Sequence, residues 1–405
     1  MTDSPPCATL LLTVTGRDRP GVIAALFQAC AGVGADVLDL EQVVVRGHLT
    51  LGVLLGTDGV APAALAALQG RLKTLAAELG VALTSEPGRG EEPGRRGGRL
   101  HVAMLGRPLT PAAVQAVTAE LAGRAANIDR IRRLASDPVT ALELDVSGVQ
   151  DIGELRRDLT RAAVGHGADV AVSPAGIVRH GRRLVVMDVD STLIQDEVIE
   201  LLAAVAGREA EVAAVTERAM RGELDFAASL HERVAALEGL PVSVFADVQR
   251  QVRLTAGART LVATLHELGF MVALVSGGFM EVVGPLARSL GIRNARANRL
   301  EVVGGHLSGR VLGTVMDRAA KAAALRDFAR AEGLPMSRTV AVGDGANDLD
   351  MLGASGLGIA FNAKPLVREK ADAALTGPYL DSVLFLLGLG ADEIADAHGE
   401  PAARA

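Results

Sequence analysis

The chain has 405 residues, a formal net charge of −7, and 49% apolar but only 2% aromatic residues. That length suits two or three domains with cores built from Ala, Val and Leu. A mildly acidic chain without basic blocks or aromatic-basic interleaving argues against nucleic acid as a partner. No apolar run reaches the length of a membrane span.

The first residues, MTDSPPC, have no basic or apolar leader pattern, so no signal peptide is expected. Cys7 and Cys30 match no metal spacing and read as the thiols of a cytoplasmic protein. The scattered histidines form no H-E-x-x-H motif.

In chain order, ATLLLTVTG reads as a strand and RPGVIAALFQACAGVG as a helix opened by Pro20. The apolar runs ADVLDLEQVVV and LTLGVLLG follow, then the helix PAALAALQGRLKTLAAELG and a short strand, VALTS. The order β-α-β-β-α-β is that of a ferredoxin-like α+β unit over residues 1–84. A stretch rich in Gly, Pro and charge, residues 85–98, reads as a linker.

The same order recurs over residues 99–175, with strands RLHVAMLG, IDRIRRLA, VTALELDVSG and ADVAVSP around helices TPAAVQAVTAELAGRAA and DIGELRRDLTRAAVGHG. GVGADV at Gly32 and GHGADV at Gly165 look alike but occupy non-equivalent places in the two units.

From residue 176 the pattern changes. Short apolar strands, LVVMDVD, MVALVSG, TVAVGD and LGIAF, alternate with longer helices, as in a parallel sheet covered on both faces. Residues 195–254 are largely helical and too long for a plain crossover, so they read as an inserted cap.

Three of these strands end in polar residues, at the edge where open α/β sheets bind ligands. The first ends in Asp188 and Asp190, and the second in Ser276 with Gly277 and Gly278. The third ends in Asp344, with Asn347 and Asp348 close behind. Side chains two apart on a strand share a face, so Asp188 and Asp190 could meet one pocket. Massed carboxylates without a balancing base suggest a hard divalent cation, Mg²⁺, and a phosphate. Taken singly, Asp344 and Ser276 would be turn or cap residues, and Lys321 a solvated helix residue. The ordered set argues otherwise.

DVDST, SGG, Lys321 and GDGAND, in that order, resemble the haloacid dehalogenase superfamily of phosphatases, from about Leu184 to Leu387. DVDSTLIQDEVIE with GDGANDLDML, and the cap segment MRGELDFAASLHERVAALEGLP, resemble its phosphoserine phosphatases. Val189 stands where many members have Phe and Ala256 where many have Pro; neither change removes a reacting group.

The resemblance implies a Rossmann-like α/β core with a helical cap. It implies Asp188 as a nucleophile forming an aspartyl-phosphate, and Asp190 as the acid for the leaving serine oxygen and then the base for water. Mg²⁺ would be held by Asp188, the Asp190 carbonyl and Asp344. Ser276 and the Gly277 amide, at a helix start, would bind phosphoryl oxygens, and Lys321 would neutralise their charge. Asn347 and Asp348 would orient phosphate, water and Lys321. Glu197 would meet the substrate ammonium and Arg233 its carboxylate, while Met220 and Phe226 would close the site.

LLLTVTGRDRPGVIAALF resembles the start of an ACT domain, an amino-acid-sensing module. The resemblance implies an effector near Gly16, Asp18 and Gly21. The second unit keeps Gly106 at the matching place but lacks the Asp-x-Pro-Gly pattern, and is ACT-like by topology. Together these resemblances imply O-phospho-L-serine as substrate, L-serine as effector and a homodimer assembled partly through residues 1–175. Two alternatives stay open. One is a related phosphatase or phosphotransferase for another small phosphomonoester. The other is an amino-acid sensor with an inactive phosphatase domain.

Overall fold

The computed structural model describes residues 7–90, 97–176, 181, 183–221 and 223–397. Contacts divide the chain into two compact units, Met1–Arg96 and Gly97–Ala403.

The first unit contains β1 (Cys7–Arg17), α1 (Val22–Cys30), β2 (Asp36–Val45), β3 (His48–Gly56), α2 (Pro62–Leu79) and β4 (Ala82–Gly90). Its antiparallel sheet has the order β2-β3-β1-β4. Alternate residues Leu10, Leu12 and Val14 of β1 and Leu49, Leu51, Val53 and Leu55 of β3 are buried against Val22 and Leu26 of α1 and Leu68 and Leu72 of α2. The period of two on the strands and of four on the helices puts these side chains on facing surfaces.

β4 corrects the expected boundary. The strand does not stop at Ser85 but runs to Gly90, pairing Leu10 with Pro87 and Cys7 with Gly90. Its edge position tolerates a proline that cannot donate. Residues 91–96 of the expected linker lie outside the described residues.

The second unit opens with β5 (Leu100–Gly106), α3 (Pro111–Gly123), β6 (Asn127–Ala135), β7 (Thr140–Ser147), α4 (Ile152–Val164) and β8 (Ala168–Pro174). Both helices start where their sequences say. Thr110 caps α3 through Ala113 N–H with Pro111 following, and Asp151 caps α4 through Glu154 N–H.

The chain then enters β9 (Leu184–Met187) and the cap helices α5 (Val198–Ala206), α6 (Glu209–Met220), α7 (Phe226–Ala235) and α8 (Val244–Gln251). The insertion is pinched shut by a bridge between Ile194 and Leu254 and by the Asp196–Arg253 ion pair at 2.6 Å. After it come α9 (Ala258–Glu267), β10 (Met271–Phe279), α10 (Met280–Ser289), β11 (Asn294–Val303), β12 (His306–Leu312) and α11 (Arg318–Ala331). The chain finishes with β13 (Thr339–Gly343), α12 (Leu349–Ala354), β14 (Leu357–Phe361), α13 (Pro365–Lys370), β15 (Ala373–Leu375), α14 (Val383–Leu386) and α15 (Ala391–Ala397).

All strands of this unit join one sheet, in the order β12-β11-β10-β9-β13-β14-β15-β8-β5-β7-β6. β9 is central and parallel to β10 and β13, with Val185 opposite Val272 and Val340. Its residues feed two cores: Leu184 and Val186 pack with α11 and α12, and Val185 and Met187 pack with the other face. A strand buried on both faces must be apolar throughout, and β9 is, until Asp188. The ACT-like sheet continues into the catalytic sheet through the pair Ala373–Ala171 of β15 and β8.

Candidate active site

Asp188 is the first residue past β9, and its backbone N–H donates to the Val342 carbonyl of β13 at 2.9 Å. The next residues form a tight turn, with Ile194 N–H donating to Val189 O at 3.0 Å and Ser191 at φ 54°. A left-handed serine is the kind of strain that surrounding structure must hold in place. The turn swings Asp190 back beside Asp188, so the pair converges without a straight strand.

Asp188 is buried. Its Oδ1 accepts from Val189 N–H at 2.8 Å, and its Oδ2 lies 2.8 Å from Lys321 Nζ. Lys321 has no exposed surface, and its Nζ also lies 2.7 Å from Asp348 Oδ1. Asp348 Oδ2 accepts from Gly345 N–H at 3.0 Å. The helix that delivers Lys321 is fixed by Asp317, which caps α11 through Ala320 N–H. A buried ammonium needs such partners. Burial opposes its charge, but Asp188 and Asp348 outweigh burial and raise the Lys321 pKa.

The carboxylates shift upward too, which for them favours the neutral form. Burial, then repulsion from Asp348, pushes Asp188 well above the ordinary range, with Lys321 opposing. Burial and the Glu197 charge push Asp190 up to about 6, against hydrogen bonds from Val198 N–H and Ser276. Burial and Asp348 push Asp344 up to about 6, against a hydrogen bond from Thr192 Oγ1 at 3.0 Å. Carboxylates crowded this way favour either a proton or a cation.

Ligand atoms of Asp188, Asp344 and Asp348 lie within 4.8 Å of one another. An all-oxygen, multiply anionic set fits a hard divalent cation. Asp188 and Asp344 line the cavity, whereas Asp348 is committed to Lys321 and the Gly345 N–H. Asp348 therefore holds Lys321 beside Asp188. Asp190 turns its carboxylate away from this cluster: Oδ1 accepts from Val198 N–H at 2.9 Å and Oδ2 from Ser276 Oγ at 3.1 Å.

The cavity, about 370 Å³, is lined by Asp188, Asp190, Gly277, Gly278, Asp344 and Asn347 from the core, and by Glu197, Phe226 and Arg233 from the cap. Glu197 accepts from Ser191 Oγ at 2.8 Å. Arg233 forms no ion pair among the described residues; its Nε makes only a long 3.4 Å bond to Ser229 O within its own helix. Burial lowers its pKa, with Glu197, Glu200 and Asp190 opposing. Phe226 reaches so close to Gly277 that a Cβ there would stand 3.3 Å from its ring. Met220 ends α6, and its side chain lies outside what is described.

One expectation needs correction. Gly277 and Gly278 do not start a helix. They lie inside β10, and α10 begins at Met280. The Ser276 hydroxyl is already engaged, donating to Asp190 and accepting from Gly278 N–H at 2.8 Å.

Three residues escaped the sequence reading. Asn298, 2% exposed, donates to Gly277 O at 2.8 Å and accepts from Met316 N–H at 2.7 Å, tying the glycine turn to the loop before α11. Asn362 and Lys364 line the cavity just past β14, at the same carboxyl edge that pointed to the aspartates. That edge rule was available for LGIAF and would have found them.

In the first unit, Gly16 sits within β1, where a Cβ would stand 2.7 Å from Val81 Cγ1. Gly21, at φ 96°, is the N-cap of α1. Asp18 and Gly21 line a shallow depression with Gln42 and Leu49, whereas Gly16 does not. Gly106 turns the β5–α3 loop tightly against Leu109 and lines a different cavity, at the seam with the catalytic core.

Residues 185–353 match the haloacid dehalogenase-like hydrolase family, and residues 8–85 and 100–173 each match an ACT domain family. The chain is 52% identical over 394 residues to the phosphoserine phosphatase of Streptomyces coelicolor, covering 96% of this chain and 94% of that one. It is 52% identical over 403 residues to the phosphoserine phosphatase of Mycobacterium tuberculosis, covering 97% of each. A probable phosphoserine phosphatase from Vibrio cholerae, solved without ligand, superposes with a TM-score of 0.56 at 34% identity, over 75% of this chain and 90% of that one.

The core, the cap and the Asp188–Lys321–Asp348 arrangement are those of a haloacid dehalogenase-like hydrolase carrying two ACT domains. Identity over nearly its whole length further shows that the chain belongs to the phosphoserine phosphatase family.

Proposed function

We propose that this chain hydrolyses O-phospho-L-serine to L-serine and phosphate as the last step of serine biosynthesis, in the cytoplasm. One observation carries the reading: a single cavity holds a phosphate end and an amino-acid end. At the floor, Asp188 faces the cavity beside Lys321. On the cap wall, the Arg233 guanidinium, without an ion pair among the described residues, suits a carboxylate, and Glu197 suits an ammonium. A phosphomonoester without the amino-acid end would leave the half-buried Arg233 unmatched.

An Asp188 oxygen attacks phosphorus while the bond to the serine oxygen breaks and Asp190 gives that oxygen a proton. The aspartyl-phosphate is then attacked by water, whose proton returns to Asp190, and phosphate leaves with Asp188 restored. A carboxyl held at about 6 suits both roles of Asp190. Lys321 and the Gly277 amide stabilise the equatorial oxygens, and Asn347 orients them. Mg²⁺, held by Asp188, Asp344 and the Asp190 carbonyl, would neutralise charge on the transferring group. Phe226 excludes water from the closed site.

The test is phosphate release with Mg²⁺ across a panel of phosphomonoesters. Phosphoserine should give the highest kcat/KM. A different preferred ester would reassign the substrate, and no release from any ester would make the chain a sensor.

The ACT domains support regulation by an amino acid. We place L-serine at the depression formed by Asp18 and Gly21, with a homodimer assembled partly through the first 175 residues. The edge strand β2 exposes Val37, Leu40, Val43 and Val45, apolar surface that suits a second copy. Serine inhibition that stays purely competitive, and equal in Asp18→Ala, would confine serine to the catalytic cavity.

A further inference from the structure

The seam between the second ACT-like module and the catalytic core is narrow in backbone and dense in side-chain bonds. β8 and β15 share one pair of residues. Asp169 of β8, 7% exposed, accepts from Thr376 N–H at 2.6 Å and from Thr376 Oγ1 at 3.1 Å. Beside it, Arg156 of α4 pairs with Asp372 at 2.7 Å.

The next residue carries the connection onward. Gly377 N–H donates to Asn362 Oδ1 at 2.9 Å, and Asn362 Nδ2 donates to Gly377 O at 2.8 Å. Asn362 N–H also donates to Leu375 O at 2.9 Å. Asn362 sits at φ 47°, in the left-handed region that Asn tolerates better than most residues. It lines the catalytic cavity, as does Lys364 two residues on. Hydrogen bonds on either side of the Thr376–Gly377 peptide link therefore join a buried carboxylate of the ACT-like module to the wall of the catalytic cavity.

We propose that Asp169 is a positioning residue for the substrate wall, acting through Thr376, Gly377 and Asn362. The second ACT-like module is then a working part of the active site. The proposal rests on the cavity being the phosphoserine site. Asp188, Asp190, Lys321 and Asp344 lie outside this run, just past β9, in the turn that follows, on α11 and just past β13. Loosening the wall should therefore weaken substrate binding and leave phosphoryl transfer nearly intact.

The experiment uses the full chain and three variants. Asp169→Ala removes both acceptors. Asn362→Gly removes the side-chain pair while glycine accepts the positive φ. Asp169→Asn keeps both contacts, because its carbonyl accepts from the Thr376 N–H and its amide donates to the Thr376 hydroxyl.

Asp169→Ala and Asn362→Gly should each raise the KM for phosphoserine about three- to tenfold, the equivalent of one net hydrogen bond. Their kcat should stay near that of the unchanged protein, and Asp169→Asn should restore KM. Hydrogen exchange gives a second readout independent of turnover: amides at 361–366 should exchange faster in Asp169→Ala. Unchanged KM and unchanged exchange at 361–366 in a folded Asp169→Ala protein would overturn the proposal. So would a fall in kcat matching only the lost folded fraction. If the unchanged protein does not act on phosphoserine, the substrate reading fails, and the exchange comparison still decides the coupling.

Discussion

A Cβ on Gly278 would stand 2.9 Å from Asp190 Oδ2 and 3.0 Å from Ser276 Oγ. The glycine leaves room for the Asp190 carboxylate, the proposed proton carrier, to lean on its backbone. Gly278→Ala should push Asp190 out of line. Displacements of about 1 Å near reacting atoms cost on the order of 10²-fold. Steady-state kinetics should show the loss in kcat, with the fold intact by circular dichroism. A kcat within a factor of about two would mean Asp190 tolerates displacement, against the role given to it.

Asp188 offers the plainest test of covalent chemistry. Asp188→Asn keeps the shape but supplies a poor nucleophile and a poor cation ligand. Turnover should vanish, and no acid-stable phosphoryl label should remain on the protein after incubation with labelled phosphoserine. Asp190→Asn should fall by about 10²–10⁴-fold, the range for loss of a general acid. Near-normal activity of a folded Asp188→Asn protein would end the aspartyl-phosphate mechanism.

Arg233 separates recognition from chemistry. It is half-buried, lines the cavity and makes no ion pair among the described residues. Arg233→Ala should cut kcat/KM for phosphoserine by about two orders of magnitude, the low end for removing one partner of a buried charge pair. Phosphoethanolamine, which has the ammonium but no carboxylate, should lose far less. Equal losses on both esters would make Arg233 a structural residue of α7.

The candidate site was legible because its polar residues cluster at strand ends. Asp188, Ser276 and Asp344 each follow an apolar run, and the fold does the rest by laying β9, β10 and β13 side by side. What escaped was of two kinds. Some signals were present and passed over. Gly304 and Gly305, at φ 58° and 80°, make the two-residue turn of the β11–β12 hairpin, a pattern that paired glycines between apolar runs announce. That hairpin supports the cap, with Gly239 N–H donating to Leu307 O at 2.9 Å. Other features had no local signal. β4 runs through EPGRG because an edge strand can carry Pro87, and only its pairing with β1 makes it a strand. Asp169 and Thr376 are 207 positions apart, and neither neighbourhood names the other.

Asp169 also fixes a pH dependence of stability. Burial pushes its carboxyl up to about 6, against the Thr376 hydrogen bonds and Arg368, whose guanidinium lies 3.9 Å away. In the unfolded chain the carboxyl titrates near 3.9. The folded state therefore holds this proton more tightly, and stability falls with pH wherever the folded state binds more protons. The contribution is fully present below about pH 4 and is lost as pH rises through about 6. Above that, a charged Asp169 stands in a buried seam at a cost of about 3 kcal/mol. Asp169→Asn removes the titration while keeping both contacts to Thr376. It should melt a few degrees above the unchanged protein at pH 8, by the usual relation of stability to Tm. The two should converge at pH 4. Melting curves at intervals between those limits would check the window. An unchanged protein that melts higher than Asp169→Asn at pH 8 would show that the charged hydrogen bonds to Thr376 outweigh burial.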